Sequence, residues 1–140
     1  MDKITIVFWS QGGNTAAMAA AVAEGVKAAG REAEIVPVSE ASLDDLKAAD
    51  AFAMGCPAMG AEALEEYEME PFVADVENFV SGKKIALFGS YGWGDGEWMR
   101  SWESRCNDDG ANLACESVIC NEAPDDDALA ACRELGASLA

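Results

Sequence analysis

The chain has 140 residues, 51% of them hydrophobic, and carries 26 acidic against 9 basic side chains with no His, a formal net charge of −17. That length predicts one domain over residues 1–140, and no apolar run approaches the length of a membrane span. A polyanion of this size is repelled by nucleic acid and suits basic protein surfaces. Met1-Asp2-Lys3 runs straight into a strand-like segment, which is not a signal peptide and predicts a cytoplasmic protein. Cys56, Cys106, Cys115, Cys120 and Cys132 are odd in number and irregular in spacing. Without His or a C-x-x-C pair they predict reduced, packed thiols and no metal site.

Lys3 to Trp9 reads as a first strand, apolar and β-branched, as a strand buried on both faces should be. Ser10 to Thr15 is a polar turn, and a helix follows from about Asn14 to Ala29. Met18, Val22 and Val26 mark its core face, and Gly30 ends it. Glu34–Val38 is strand two, and Pro37 places it at a sheet edge. Ser42 caps a short helix over 43–49. Asp50–Gly55 is strand three, continuously apolar and therefore central. A long irregular loop, 56–69, leads to a helix over about 70–80. Lys83–Ser90 is strand four, a glycine-rich loop follows, and a helix covers about 97–108. Asn112–Cys120 is strand five, and the last helix runs from about Asp125 to Leu139. The alternation predicts an α/β fold. Its doubly wound sheet has five parallel strands in the order 2-1-3-4-5, with helices on both faces. Ligands of such sheets sit beyond the carboxyl ends of the strands at the switch point, between strands one and three.

Three loops converge there. Ser10, Gln11, Gly12, Gly13, Asn14 and Thr15 combine small residues with hydroxyl and amide donors at a helix N-terminus, a setting that favours a phosphate. The same residues are common in ordinary strand-to-helix turns. The loop is not a G-x-x-x-x-G-K-[ST] nucleotide loop, and it lacks G-x-G-x-x-G. The second loop begins Cys56-Pro57-Ala58-Met59-Gly60-Ala61-Glu62. The third reads Ser90-Tyr91-Gly92-Trp93-Gly94-Asp95-Gly96-Glu97-Trp98. Met59 alone reads as a gap filler and Trp93 alone as a lid on the core. With a phosphate cradle on the same edge, the pair reads as a clamp for a planar ring.

These motifs resemble the short-chain flavodoxins over the whole chain. The most specific matches are Phe8-Trp9-Ser10 with Gly13-Asn14-Thr15, then Gly55-Cys56-Pro57-Ala58-Met59-Gly60, then Leu87 to Gly94 with Gly96-Glu97-Trp98. Asn121-Glu122 and Pro124-Asp125 also fit. The resemblance implies non-covalently bound FMN and a low-potential one-electron carrier shuttling between semiquinone and hydroquinone, not an enzyme. Ser10 to Thr15 would wrap the phosphate. Met59 would cover the inner ring face and Trp93 the outer face. The Gly60–Ala61 peptide would flip on reduction, and Glu62 would bind N3–H. Pro57 belongs to the same loop, Ala58 and Ser90 would contact the ribityl chain and ring edge, and backbone N–H groups around Gly92 and Gly94 would face N1 and O2, with Tyr91 and Gly96 as further cofactor-binding residues of that loop.

Two departures stand out. The family's phosphate loop usually reads S-G-T-G-N-T, whereas here Gln11 and Gly12 replace its Gly and Thr. Ala61 stands where a polar residue is usual. Glu62, Asp95 and Glu97 lie close in sequence to the ring site with no cation nearby, so reduction to an anion is expected to be disfavoured. Partners are expected to be redox enzymes with basic docking surfaces, and the chain itself to be a monomer. The alternative within this architecture is an FMN-dependent quinone or NAD(P)H reductase.

Overall fold

The computed structural model describes residues 3–60 and 63–140. Its sheet is parallel, in the order β2-β1-β3-β4-β5, with a further strand, β6, also paired with β4. β1 is Ile4–Phe8, β2 Ala33–Pro37, β3 Ala51–Gly55, β4 Lys84–Tyr91, β5 Asn112–Leu113 and β6 Val118–Asn121. The helices are α1 Asn14–Ala28, α2 Leu43–Ala48, α3 Met69–Val76, α4 Glu97–Asp108 and α5 Asp126–Leu139.

The sequence explains why each strand sits where it does. β3 is buried throughout, as an uninterrupted apolar run between two partners must be. β2 pairs with β1 alone, and Pro37, which has no N–H for a second ladder, lies opposite Phe8 on that edge strand. One face of the sheet carries α1 and α5 over Ile4, Ile6, Ala53 and Phe88. The other carries α2, α3 and α4 over Val7, Phe52, Met54 and Leu87. Ser42 caps α2 by accepting from the Asp45 N–H at 3.2 Å, and Asp125 caps α5 by accepting from the Ala128 N–H at 2.8 Å.

α1 and α5 approach unusually closely. A Cβ on Gly25 would lie 1.8 Å from the Arg133 carbonyl oxygen, and one on Gly136 would lie 2.0 Å from that of Val22. Glycine is required at both places because the two backbones touch there.

Two expectations need correction. Strand five is not continuous: β5 and β6 pair with β4 at its two ends, and after the Ala114 N–H has donated to the Ile85 carbonyl, residues 115–117 leave the ladder. The Ser117 hydroxyl donates to Glu103 Oε2 on α4 at 2.7 Å, drawing this segment aside. α3 ends at Val76 rather than 80, because Asn78 and Phe79 bond back to Asp75 and Val76, tightening the chain into turns. Among the described residues no helix is long and apolar enough to cross a membrane.

Candidate functional site

The carboxyl ends of β1, β3 and β4 open onto a cavity of about 290 Å³. The loop after β1 supplies Ser10, Gln11, Gly12, Asn14 and Thr15 to its wall. The loop after β3 supplies Pro57, Ala58 and Met59, and the end of β4 supplies Ser90, Tyr91, Gly92 and Trp93. Gly13 stands within the first loop as the N-cap of α1, with a left-handed φ of 92°. Gly60, also left-handed, lines a neighbouring cavity of about 400 Å³ that shares Met59 and Gln11 with the first. Gly94 and Gly96 lie further along, where Gly96 is the N-cap of α4, and neither lines the 290 Å³ cavity. Ala61 and Glu62 lie outside the described residues.

The first loop is built to receive an anion. Thr15 is 1% exposed, and among the described residues its Oγ1 has no hydrogen-bond partner. A buried hydroxyl left in that state costs about 1–3 kcal/mol, so its place in the wall of a cavity needs an explanation. Above Gly12 and Gly13 an added Cβ would meet no atom within 4 Å, so the backbone is open to a ligand. Ser10 Oγ accepts from the Gly13 and Ala16 N–H groups at 3.2 and 3.3 Å, holding the loop against the start of α1. No Lys or Arg lines the cavity, so the donors are neutral and the helix N-terminus provides the positive end.

The other two loops are tied to each other. The Ala58 N–H donates to the Ser90 carbonyl at 3.0 Å, and the Trp98 indole N–H to the Cys56 carbonyl at 3.0 Å. Met59 and Ala63 exchange both backbone hydrogen bonds at 2.8 Å, which makes a narrow hairpin with Gly60 at its turn. Trp93 is 52% exposed at the mouth, so it is no lid on the core. Tyr91 packs on Trp98 with ring centroids 5.5 Å apart. Cys56 is fully buried and its thiol is pushed up to about 12, chiefly by that burial, so it is a packing residue.

Three relevant residues carry no site role from the sequence, although Glu122 falls in a stretch that fits the resemblance. Glu122 lines the cavity from the end of β6, and its carbonyl accepts the Ser90 hydroxyl at 2.6 Å. Its φ of 57° is the one left-handed value at a non-glycine among the described residues. Arg100 corrects the expectation of no nearby cation: Nη2 lies 2.9 Å from Asp95 Oδ1 and 3.3 Å from Glu97 Oε1. The Asp95–Arg100 pair spans Gly96, which hides it in the sequence, whereas Glu97–Arg100 is a three-residue spacing within α4. Glu65, buried in the loop before α3, is the third. A larger cavity, about 770 Å³, lies elsewhere, between β6 and α5. The converging loops and the unpaired Thr15 hydroxyl, not volume, mark the candidate site.

The family model described as Flavodoxin matches residues 6–136. The chain belongs to the flavodoxin family. It is 45% identical to the flavodoxin of Megasphaera elsdenii over 98% of both chains, and 44% identical to that of Clostridium beijerinckii over 96% of this chain and 97% of the other. A solution structure of two-electron reduced Megasphaera elsdenii flavodoxin superimposes with a TM-score of 0.89 at 46% identity, covering 97% of each chain. As a flavodoxin the protein is an FMN-binding electron carrier rather than an enzyme, and it serves redox partner enzymes. The cradle fits the phosphate of that cofactor, as the unpaired Thr15 hydroxyl and the open backbone at Gly12 indicate. Among the described residues no group of His, Cys, Asp and Glu is placed to hold a metal.

Proposed function

We propose that this flavodoxin is a cytoplasmic, monomeric, single-domain carrier of low potential. It moves one electron at a time between the semiquinone and hydroquinone levels of non-covalent FMN. The observation that carries the reading is the buried, unpartnered Thr15 hydroxyl in a cavity whose other walls are Met59 and Trp93. Ser10, Gln11, Gly12, Gly13, Asn14 and Thr15 hold the phosphate with neutral donors. Met59 covers the inner ring face and Trp93 the outer, with Ala58, Ser90, Tyr91 and Gly92 along the ribityl chain and ring edge. Gly60 gives the hairpin the backbone freedom to change which group it turns toward the ring; its φ of 53° supports this. When bound, FMN supplies the redox chemistry, and the protein supplies binding, orientation and field. The exposed face of Trp93 leaves the ring edge near solvent for electron exchange. The net charge of −17 steers partners with basic docking surfaces.

Anaerobic titration of the purified protein with dithionite, followed in the visible range, tests this. Flavin bands giving way to a long-wavelength radical band and then to bleaching are the expected course. Bleaching without a radical stage would favour a two-electron reductase. A colourless protein that takes up no added FMN would overturn the assignment.

A further inference from the structure

We propose that Glu65 is a positioning residue for the flavin: its carboxylate locks the far end of the loop that presents Met59 and Gly60. The inference rests on the FMN reading above.

Glu65 is 5% exposed, yet charged side chains are seldom buried without partners. Its partners are backbone groups. Oε2 accepts from the Tyr67 N–H at 2.9 Å, and Oε1 accepts from those of Glu68 and Met69 at 2.7 and 3.0 Å. Its own carbonyl accepts from the Glu70 N–H at 2.8 Å. A helix begins with N–H groups that have no partner within it, and the N-cap of α3, Glu68, makes no side-chain cap. Glu65 does that work from outside the helix, and its negative charge suits the helix N-terminus. Burial alone would raise its pKa; the three N–H donors outweigh burial and hold it below the ordinary Glu value.

The connection to the ring site is short. The loop is fixed to β4 at its near end by Cys56 and Ala58, whose N–H groups donate to Phe88 and Ser90. The Met59–Ala63 bridge closes its middle. Only Leu64, itself in the core, separates Ala63 from Glu65. The Glu65 N–H also donates to Cys56 Sγ at 3.5 Å, joining the two ends of the loop. A shift at Glu65 therefore has no slack in which to dissipate before it reaches Met59. The same turn touches the phosphate side, since the Trp9 indole N–H donates to Glu68 Oε1 at 3.2 Å and Trp9 precedes Ser10.

The test is Glu65→Gln, which keeps the size, removes the charge and turns a donor toward N–H groups. FMN dissociation is expected to rise at least about tenfold, with a displaced midpoint potential. In the apoprotein, hydrogen exchange at the Tyr67, Glu68 and Met69 amides should quicken. In a Met59→Ala background the FMN penalty of Glu65→Gln should shrink to under about threefold, because both changes act through one contact. Penalties that multiply independently would overturn the proposal. So would unchanged FMN affinity in a variant that merely melts earlier, the signature of a plain helix cap. If Glu65→Gln does not fold, Glu65→Asp keeps the charge on a shorter arm; a folded Glu65→Asp with wild-type affinity and potential would equally overturn it. Wild-type protein that fails to bind FMN would sink the cofactor reading and this inference with it. Wild-type binding with indifferent variants sinks this inference alone.

Discussion

Replacing Thr15 with Val should move two measurements in opposite directions. Val has nearly the shape of Thr without its hydroxyl, and Thr15 is 1% exposed, so packing is kept. In the ligand-free protein the hydroxyl is buried with no partner, and removing it relieves about 1–3 kcal/mol. For a domain of this size that is a rise of roughly 3–10 °C in the melting temperature of the apoprotein. On the proposed reading the hydroxyl faces a phosphate when FMN is bound, and a hydrogen bond to a charged group is worth about 1.5–3 kcal/mol. Losing it weakens binding by roughly 10- to 150-fold. The assay pairs apoprotein melting with fluorimetric titration of FMN. A variant that melts lower would mean the hydroxyl is satisfied in the free protein. A variant that binds FMN within twofold of wild type would mean the hydroxyl is not aimed at the phosphate. Either result refutes the argument from the unpaired oxygen.

Trp93→Ala should weaken FMN by about 1–3 kcal/mol, a typical value for loss of a stacking aromatic. The apoprotein should still melt within about 2 °C of wild type, because the side chain is half exposed. Arg100→Gln should lower the midpoint potential of the second electron by removing the cation that partly neutralises Asp95 and Glu97. A unit charge about 10 Å away in water amounts to about 0.4 kcal/mol, on the order of 20 mV, and potentiometry that finds a rise would contradict this. Asp109 has its carboxyl raised to about 6, first by burial and then by its hydrogen bond to Glu77. Its unfolded value is about 3.9, so between the two the folded state holds the extra proton, and stability falls as pH rises through that window. Asp109→Asn should therefore melt higher than wild type at pH 7–8, by a degree or two after solvent screening, and lose that advantage near pH 4. Thermal melts at the two pH values decide it.

How much of this was legible beforehand depended on where the signal is written. α1 was readable because Met18, Val22 and Val26 repeat at helical spacing, and all three are fully buried. The central place of β3 followed from an unbroken apolar run, and the edge place of β2 from one proline. The site loops were readable because glycine and exposed aromatics are odd company on a surface. The break in strand five was not, because it depends on Ser117 finding Glu103 on α4, a tertiary bond that overrides local preference. The Asp95–Arg100 pair was not legible because it spans the turn at Gly96. Glu65 escaped because its partners are main-chain N–H groups, which every residue carries and no motif marks. In a run of five glutamates among residues 62–70, nothing local singles out the buried Glu65.

The contact between α1 and α5 bears on how such a protein can be mapped experimentally. At Gly25 and Gly136 the two main chains lie against one another with no side chain between them. Even alanine at either position must pry apart the helix whose first turn backs the phosphate loop. A saturation library scored by flavin colour would therefore report both positions as intolerant, alongside residues of the cavity wall. Colour alone would draw the boundary of the binding site too wide, and a parallel screen for folded apoprotein is what would bring it back to the loops.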